Sequence, residues 1–247
     1  LYMVSKYRNY IDVSWYLIYY FAVFYITSFS PIRAALAASI GMIAFEFMIR
    51  KKIICSFVFI IVASFFHITA LLLLVPFSFT YFKMFSRKMV YFILVTLFFA
   101  VYVGRTNIGN FMLNSNRYYN YAPSDVVKIG LEQIVNYLPL FIIFFGGKKY
   151  DTNQNIAKIS IAYLSTGFCV GMIGYIIPIF GRLQSLFLPL IFVVAYYAKV
   201  IKTHTKYKTT IDILFIGYCT LRFWIYISQY YNLEDVMPYT NFLGWTI

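Results

Sequence analysis

Four ionisable side chains stand where an apolar chain can least accommodate them. His67 lies in Phe65-Phe66-His67-Ile68-Thr69-Ala70, inside an otherwise unbroken apolar stretch over 53–82. An ionisable group in such a setting is expensive and often functional. Imidazole exchanges protons near neutral pH, so the chemical reading is a general base; a ring bonded to a backbone carbonyl is the structural alternative. Arg33 follows Ser30-Pro31, a helix-start signal in which Ser caps and Pro suits the first position. A cation in the first turn opposes the helix dipole. The arrangement makes sense if the guanidinium and the free amides together face an anion such as phosphate; snorkelling to an interface is the alternative. Arg182 follows Pro178-Ile179-Phe180-Gly181, between two apolar runs. Its planar fork suits bidentate phosphate contacts, unless it is only an interfacial anchor. Arg222 is near the middle of the last apolar run, with Gln229 two turns on. It must face the interior and find a partner, either a carboxylate or a substrate.

Weaker signals lie in the polar segment 105–130. It carries Arg117, Tyr118, Tyr119, Asn120 and Tyr121, then Asp125 and Lys128, with Glu132 just beyond. Tyrosine rings can stack on sugar faces, and Asp or Glu can accept hydroxyl protons. Tyr is abundant here, however, at 25 residues, and is expected at membrane interfaces in any case. Cys55, Cys169 and Cys219 sit in apolar runs without Cys-x-x-Cys spacing, and the two histidines, His67 and His204, are far apart. No metal site is read from them. Glu46 and Arg50 are spaced for an i,i+4 pair.

The elements that must position these residues are membrane helices. Of 247 residues, 62% are apolar, 22% aromatic and 12% charged, with a mean hydropathy of +0.75. That excludes an ordinary soluble domain and a disordered chain. A spanning helix needs ~20 apolar residues, and the chain holds at least seven segments near that length. The expected segments are 13–29, 31–49, 53–82, 90–104, 131–145, 157–180, 183–201 and 211–231. The fold class is therefore all-α: one polytopic transmembrane helix bundle of about eight to nine segments, forming a single domain over 1–247 with an outer polar loop over 105–130. The chain begins at Leu1 and enters a membrane segment almost at once, so earlier N-terminal spans are expected to be missing.

Charge sets the orientation. The net charge of +13 is not a nucleic-acid footprint, because no basic stripe lies on a soluble module. The cations cluster in short loops, as the positive-inside rule requires. Stretch 53–82 is the ambiguous piece. Crossing once, it would put Arg50-Lys51-Lys52 outside. Turning back at His67 keeps that cluster inside, with two limbs of about 22 Å each, short of a ~30 Å hydrocarbon core. The hairpin is the favoured reading. It leaves fifteen of the 21 Lys and Arg inside and five outside, with Arg222 within a span. Arg33, His67, the 105–130 loop and Arg182 then share the outer side.

Two segments together carry a family resemblance. Arg33-Ala34-Ala35-Leu36-Ala37, with Phe66-His67-Ile68-Thr69-Ala70 further on, resembles the Arg-Gln-x-Leu-Ala and Phe-His-x-(Ser/Thr)-Ala motifs of the EpsG-like family, the Wzy-type bacterial polysaccharide polymerases. Gly181-Arg182-Leu183-Gln184-Ser185 is similar to that family's second arginine before a span, and Met237-Pro238-Tyr239 to its C-terminal Pro-Tyr. Ala34 stands where the family has Gln, so no hydrogen bond from that side chain carries over. The resemblance covers roughly 13–247, and family members are longer at the N-terminus.

The resemblance implies transfer of an oligosaccharide repeat unit from a polyprenyl-pyrophosphate carrier to an acceptor sugar hydroxyl. The reaction would take place on the outer (periplasmic) side of the bacterial cytoplasmic membrane, in exopolysaccharide, capsule or O-antigen synthesis. A GT-C-like arrangement is one form the bundle could take. In that reading His67 is the base, and Arg33 and Arg182 stabilise the leaving pyrophosphate. Arg222, Arg117, Tyr118, Tyr119, Asp125 and Glu132 bind substrate, with Asp125 or Glu132 as substitute base. Arginines and helix N-termini can serve as the electrophile, so no metal or cofactor is required. The implied partners are the lipid-linked oligosaccharide, the bilayer and other polysaccharide-assembly membrane proteins. The rival readings are a flippase or transporter of a lipid-linked sugar and a membrane O-acyltransferase.

Overall fold

The structure, a computed structural model, describes residues 2–25, 32–81, 87–114, 131–174, 176 and 183–230. Among these the chain is helical throughout, with no strand. A short α1 (Tyr2–Tyr7) precedes α2 (Val13–Tyr19), which continues as a π-helical stretch over Tyr20–Tyr25. Helices α3 (Ile32–Ile49) and α4 (Ile53–Phe66) follow, then a 3-10 segment Ile68–Leu73 and α5 (Leu74–Tyr81). Next come α6 (Arg87–Leu113), α7 (Leu131–Lys148) and α8 (Gln154–Gly174). A 3-10 segment Leu183–Phe187 leads into α9 (Leu190–His204), and α10 (Lys208–Tyr230) is last.

Two helices among the described residues are long and apolar enough to cross a membrane on their own, Ile32–Ile49 and Gln154–Gly174. Other expected spans are broken or shorter. The first span changes to π-helix at Tyr20. The seventh enters through a 3-10 segment. The long stretch 53–82 is divided at His67. Conversely, α6 does not stop at Gly104 but continues helically through the start of the polar segment to Leu113. The Arg105 guanidinium there folds back over the Tyr102 ring at 4.6 Å and donates to the Tyr102 carbonyl at 3.0 Å. That satisfies the charge locally and lets the helix run on.

The core lies where α3, α8 and α9 meet. Every residue of α9 from Leu190 to Ala198 is buried, as expected for a helix apolar on all sides. Phe45 of α3 packs edge-on against Tyr163 of α8 and against Phe192 of α9. On α3, small residues at Ala34, Ala37, Ala38, Gly41 and Ala44 are buried, and such a face lets neighbouring backbones approach closely. The approach is tightest at Gly41, where an added Cβ would stand 2.6 Å from Leu73 Cδ1.

Helices α3 and α4 form an antiparallel hairpin. The turn is a Schellman-type cap: Lys51 N–H donates to Met48 O at 3.0 Å and Lys52 N–H to Phe47 O at 2.9 Å. Lys51 sits at φ 60°, a position usually given to Gly. The register is set by Ser56 Oγ donating to Ala44 O at 3.0 Å and by the Phe47–Phe59 stack at 5.2 Å. After His67 the chain reverses again. Phe57 of α4 meets Phe77 of α5 at 6.0 Å, a pairing centred on residue 67. Tyr81 OH then donates to Met48 O at 3.3 Å, so α5 ends level with the C-terminus of α3. The favoured hairpin reading of 53–82 describes this geometry.

A left-handed non-Gly residue carries about 1–2 kcal/mol of strain. Lys51→Gly is therefore expected to raise the midpoint of thermal unfolding in detergent, and Lys51→Val to lower it. A lower midpoint for the Gly variant would contradict this cap geometry.

Candidate functional site at one end of the bundle

The two ends of the bundle are chemically different. One end collects Asp12, Glu46, Asp151 and Asp212 and most of the described cations. Glu46, almost wholly buried, accepts from Lys6 Nζ at 2.5 Å, Arg50 Nε at 2.8 Å and Tyr2 OH at 3.1 Å. The expected Glu46–Arg50 pair is present, and Lys6 is a second cation that spacing along the chain could not reveal. Asn155 Nδ2 donates to Ile49 O at 3.0 Å, so α8 starts at this same end, its first amides bonded to Asn153 Oδ1. Asp151 accepts from the hydroxyls of Tyr196 and Tyr197 at 2.9 and 3.2 Å, and Tyr150 stacks on His204 at 4.9 Å.

A second clasp closes that end. Asp12 caps α2 by accepting from Trp15 N–H at 3.1 Å and pairs with Lys202 Nζ at 2.6 Å. Lys202 also pairs with Asp212, which accepts from Trp15 Nε1 at 2.5 Å. Burial works against the Lys202 ammonium, but the bonds to Asp12 and Asp212 outweigh it and hold its pKa above the ordinary value.

The opposite end holds Arg33 and His67. Arg33 is exposed in the first turn of α3. The antiparallel register of α3 and α4 brings the start of α3 level with the end of α4, so Arg33 and His67 share this end. His67 is half-buried in extended backbone, φ −150° and ψ 114°. Its N–H donates to Ala63 O at 3.1 Å and its carbonyl accepts from Ala70 N–H at 2.9 Å. Its Nδ1 is in hydrogen-bond contact with Thr69 Oγ1, a partner that the sequence reading did not name.

The 3-10 segment beginning at Leu183, the residue after Arg182, packs against α3, α8 and the 68–73 segment. Arg182 itself lies outside the described residues, as do Arg117, Tyr118, Tyr119 and Asp125. Glu132 is in the first turn of α7, at the end away from Lys148. Arg222 is apart from this group. It lies on α10, about 15 Å along the axis from Asp212 at 1.5 Å per residue. It is half-buried, within electrostatic reach of Tyr19, Tyr137 and Tyr218. Tyr218 OH donates to Asn136 O at 2.8 Å. Among the described residues no carboxylate pairs with Arg222. Nor does any group of three or more His, Cys, Asp or Glu among them form a metal-binding cluster.

An all-helical bundle with ion-paired clasps at one end, and an arginine and a histidine at the other, is the class of protein that the structure defines. A family model matches residues 1–241, and the chain belongs to the EpsG family. That membership gives a polysaccharide-related context. No curated protein and no solved structure matches the chain.

The same-end placement can be read by labelling. In a background with Cys55, Cys169 and Cys219 changed to Ala, cysteines replacing the exposed Ile32 and Ile68 should react with an impermeant thiol reagent on intact cells. Cysteines replacing Tyr150 and Tyr207 should react only after permeabilisation. Reaction of positions 32 and 68 from opposite sides would contradict the placement.

Proposed function

We propose that this chain is a membrane-embedded polymerase of polysaccharide assembly. It transfers an oligosaccharide repeat unit from a polyprenyl-pyrophosphate carrier to an acceptor sugar hydroxyl on the outer side of the bacterial cytoplasmic membrane. The observation that supports this most is the sharing of one bundle end by Arg33 and His67, while the basic clusters at Lys6, Arg50–Lys52 and Lys202 gather at the other. The positive-inside rule then assigns the basic end to the cytoplasm and the Arg33–His67 end to the outer side. Large apolar side chains at Ile54, Phe65, Val103, Phe111 and Trp224 are exposed on the surface, which suits contact with lipid rather than water.

In this reading the acceptor oxygen bonds to the anomeric carbon of the donor. The bond from that carbon to the pyrophosphate oxygen breaks, and the lipid pyrophosphate leaves with the electron pair. The acceptor's hydroxyl proton passes to His67. Arg33, beside the free amides of the α3 N-terminus, stabilises the charge that develops on the leaving group. Arg182 is the second such cation, and Arg222 a third contact deeper in the bundle. Arg117, Tyr118, Tyr119, Asp125 and Glu132 are proposed to hold sugar. Binding by the arginines and proton transfer by His67 are thus separate tasks.

The test is single-round transfer with a purified lipid-linked donor and acceptor, run beside direct donor binding. His67→Gln should slow transfer on the order of 10²–10⁴ and leave donor binding nearly unchanged. Arg33→Ala should weaken both. Arg182→Lys should be nearly as damaging as Arg182→Ala, because an ammonium lacks the planar fork. Donor binding without transfer in the parent protein would favour a transporter over an enzyme. Parental transfer by His67→Gln would remove His67 as the base.

A further inference from the structure

His204 Nδ1 lies 2.9 Å from both the Val200 carbonyl oxygen and Thr203 Oγ1, and a carbonyl only accepts. His67 Nδ1 faces the Thr69 hydroxyl, which can donate or accept. The direction of that one bond decides what His67 can do. If Thr69 donates, the hydrogen of the neutral ring sits on Nε2 and neither nitrogen is free to take a proton. If Thr69 accepts, Nδ1 carries the hydrogen and the lone pair of Nε2 is open.

We infer that Thr69 is a positioning residue that accepts a hydrogen bond from His67 Nδ1–H, fixing the ring so that Nε2 is the proton-accepting nitrogen. The inference rests on His67 acting as the base. Three features of the site carry it. The 67–69 spacing spans the break between α4 and the 3-10 segment, so the backbone turn that exposes His67 also delivers the hydroxyl. The main chain of His67 is already bonded on both sides, to Ala63 and Ala70, so the ring is the part left to be set. Nδ1 is occupied whichever way the bond runs, which leaves Nε2 as the nitrogen that can meet a substrate hydroxyl. When Nε2 takes that proton, the ring becomes an imidazolium with two N–H groups. Thr69 continues to accept from one of them, so no rearrangement is needed during the reaction.

The chain has two histidines, so His204→Gln leaves a single one. In full-length protein of that background, labelled with ¹⁵N-histidine and reconstituted in nanodiscs, the ring nitrogen shifts should report hydrogen on Nδ1 and a free lone pair on Nε2. Thr69→Ser should preserve that signature and the transfer rate. Thr69→Val, of similar shape but without a hydroxyl, should move the ring toward the other tautomer. Its transfer rate should fall by about tenfold or more, though less than on loss of the base, with donor binding unchanged. Hydrogen on Nε2 in the parent, or a tautomer unmoved by Thr69→Val, would overturn the inference. Parental transfer by His67→Gln would overturn the base itself and leave the tautomer result standing, so the two failures are separable.

Discussion

One extended residue sets the course of the chain. A continuous helix over 53–81 would run about 44 Å, well past a ~30 Å hydrocarbon core. At His67 the backbone leaves the helical region, and the run folds into two antiparallel limbs. A break among apolar residues is tolerable only if its backbone groups find partners. The groups of His67 itself do: its amide donates to Ala63 O and its carbonyl accepts from Ala70 N–H. The same break presents an imidazole at the bundle end where α3 begins, the end that Arg33 occupies. Fold and candidate chemistry therefore depend on one local departure from the helix.

The other end is organised around charge neutralisation. Glu46 ties α1 to α3 through Lys6 and Arg50, and Lys202 ties α2, α9 and α10 through Asp12 and Asp212. In the first clasp one carboxylate is shared by two cations, and in the second one ammonium is shared by two carboxylates. Ring contacts extend both clasps, with Trp15 stacked on Phe215 at 3.6 Å and Tyr7 edge-on to Phe192 at 5.3 Å. The result is an ion-paired base. It fixes the helices whose opposite ends carry Arg33, His67 and the segment following Arg182.

Features that depend on local spacing were legible in the sequence. The apolar runs gave the helices, the Arg50-Lys51-Lys52 cluster gave the end of α3, and His67 marked the break in 53–82. The Glu46–Arg50 pair followed from i,i+4 geometry. What escaped was long-range or contrary to local preference. Nothing in the chain near Glu46 points to Lys6, forty positions away, nor near Asp12 to Lys202 and Asp212. A lysine at φ 60° gives no Gly signal for its cap. The polar residues after Gly104 suggested a loop, yet Arg105 folds onto Tyr102 and the helix continues. Thr69 was visible as a motif position, but its bond to the ring exists only once the backbone turns between them.

The hairpin geometry is open to a direct distance measurement. Spin labels on cysteines replacing Ile54 and Thr80, in cysteine-free full-length protein in a bilayer, report the separation of the two limbs' far ends. If the chain reverses at His67, these positions lie on adjacent antiparallel helices, whose axes pack about 10 Å apart. A label separation below about 20 Å is then expected. If 53–82 crosses as one helix, the same positions are about 39 Å apart along its axis. A separation near that value would contradict the hairpin and remove His67 from the end that Arg33 occupies.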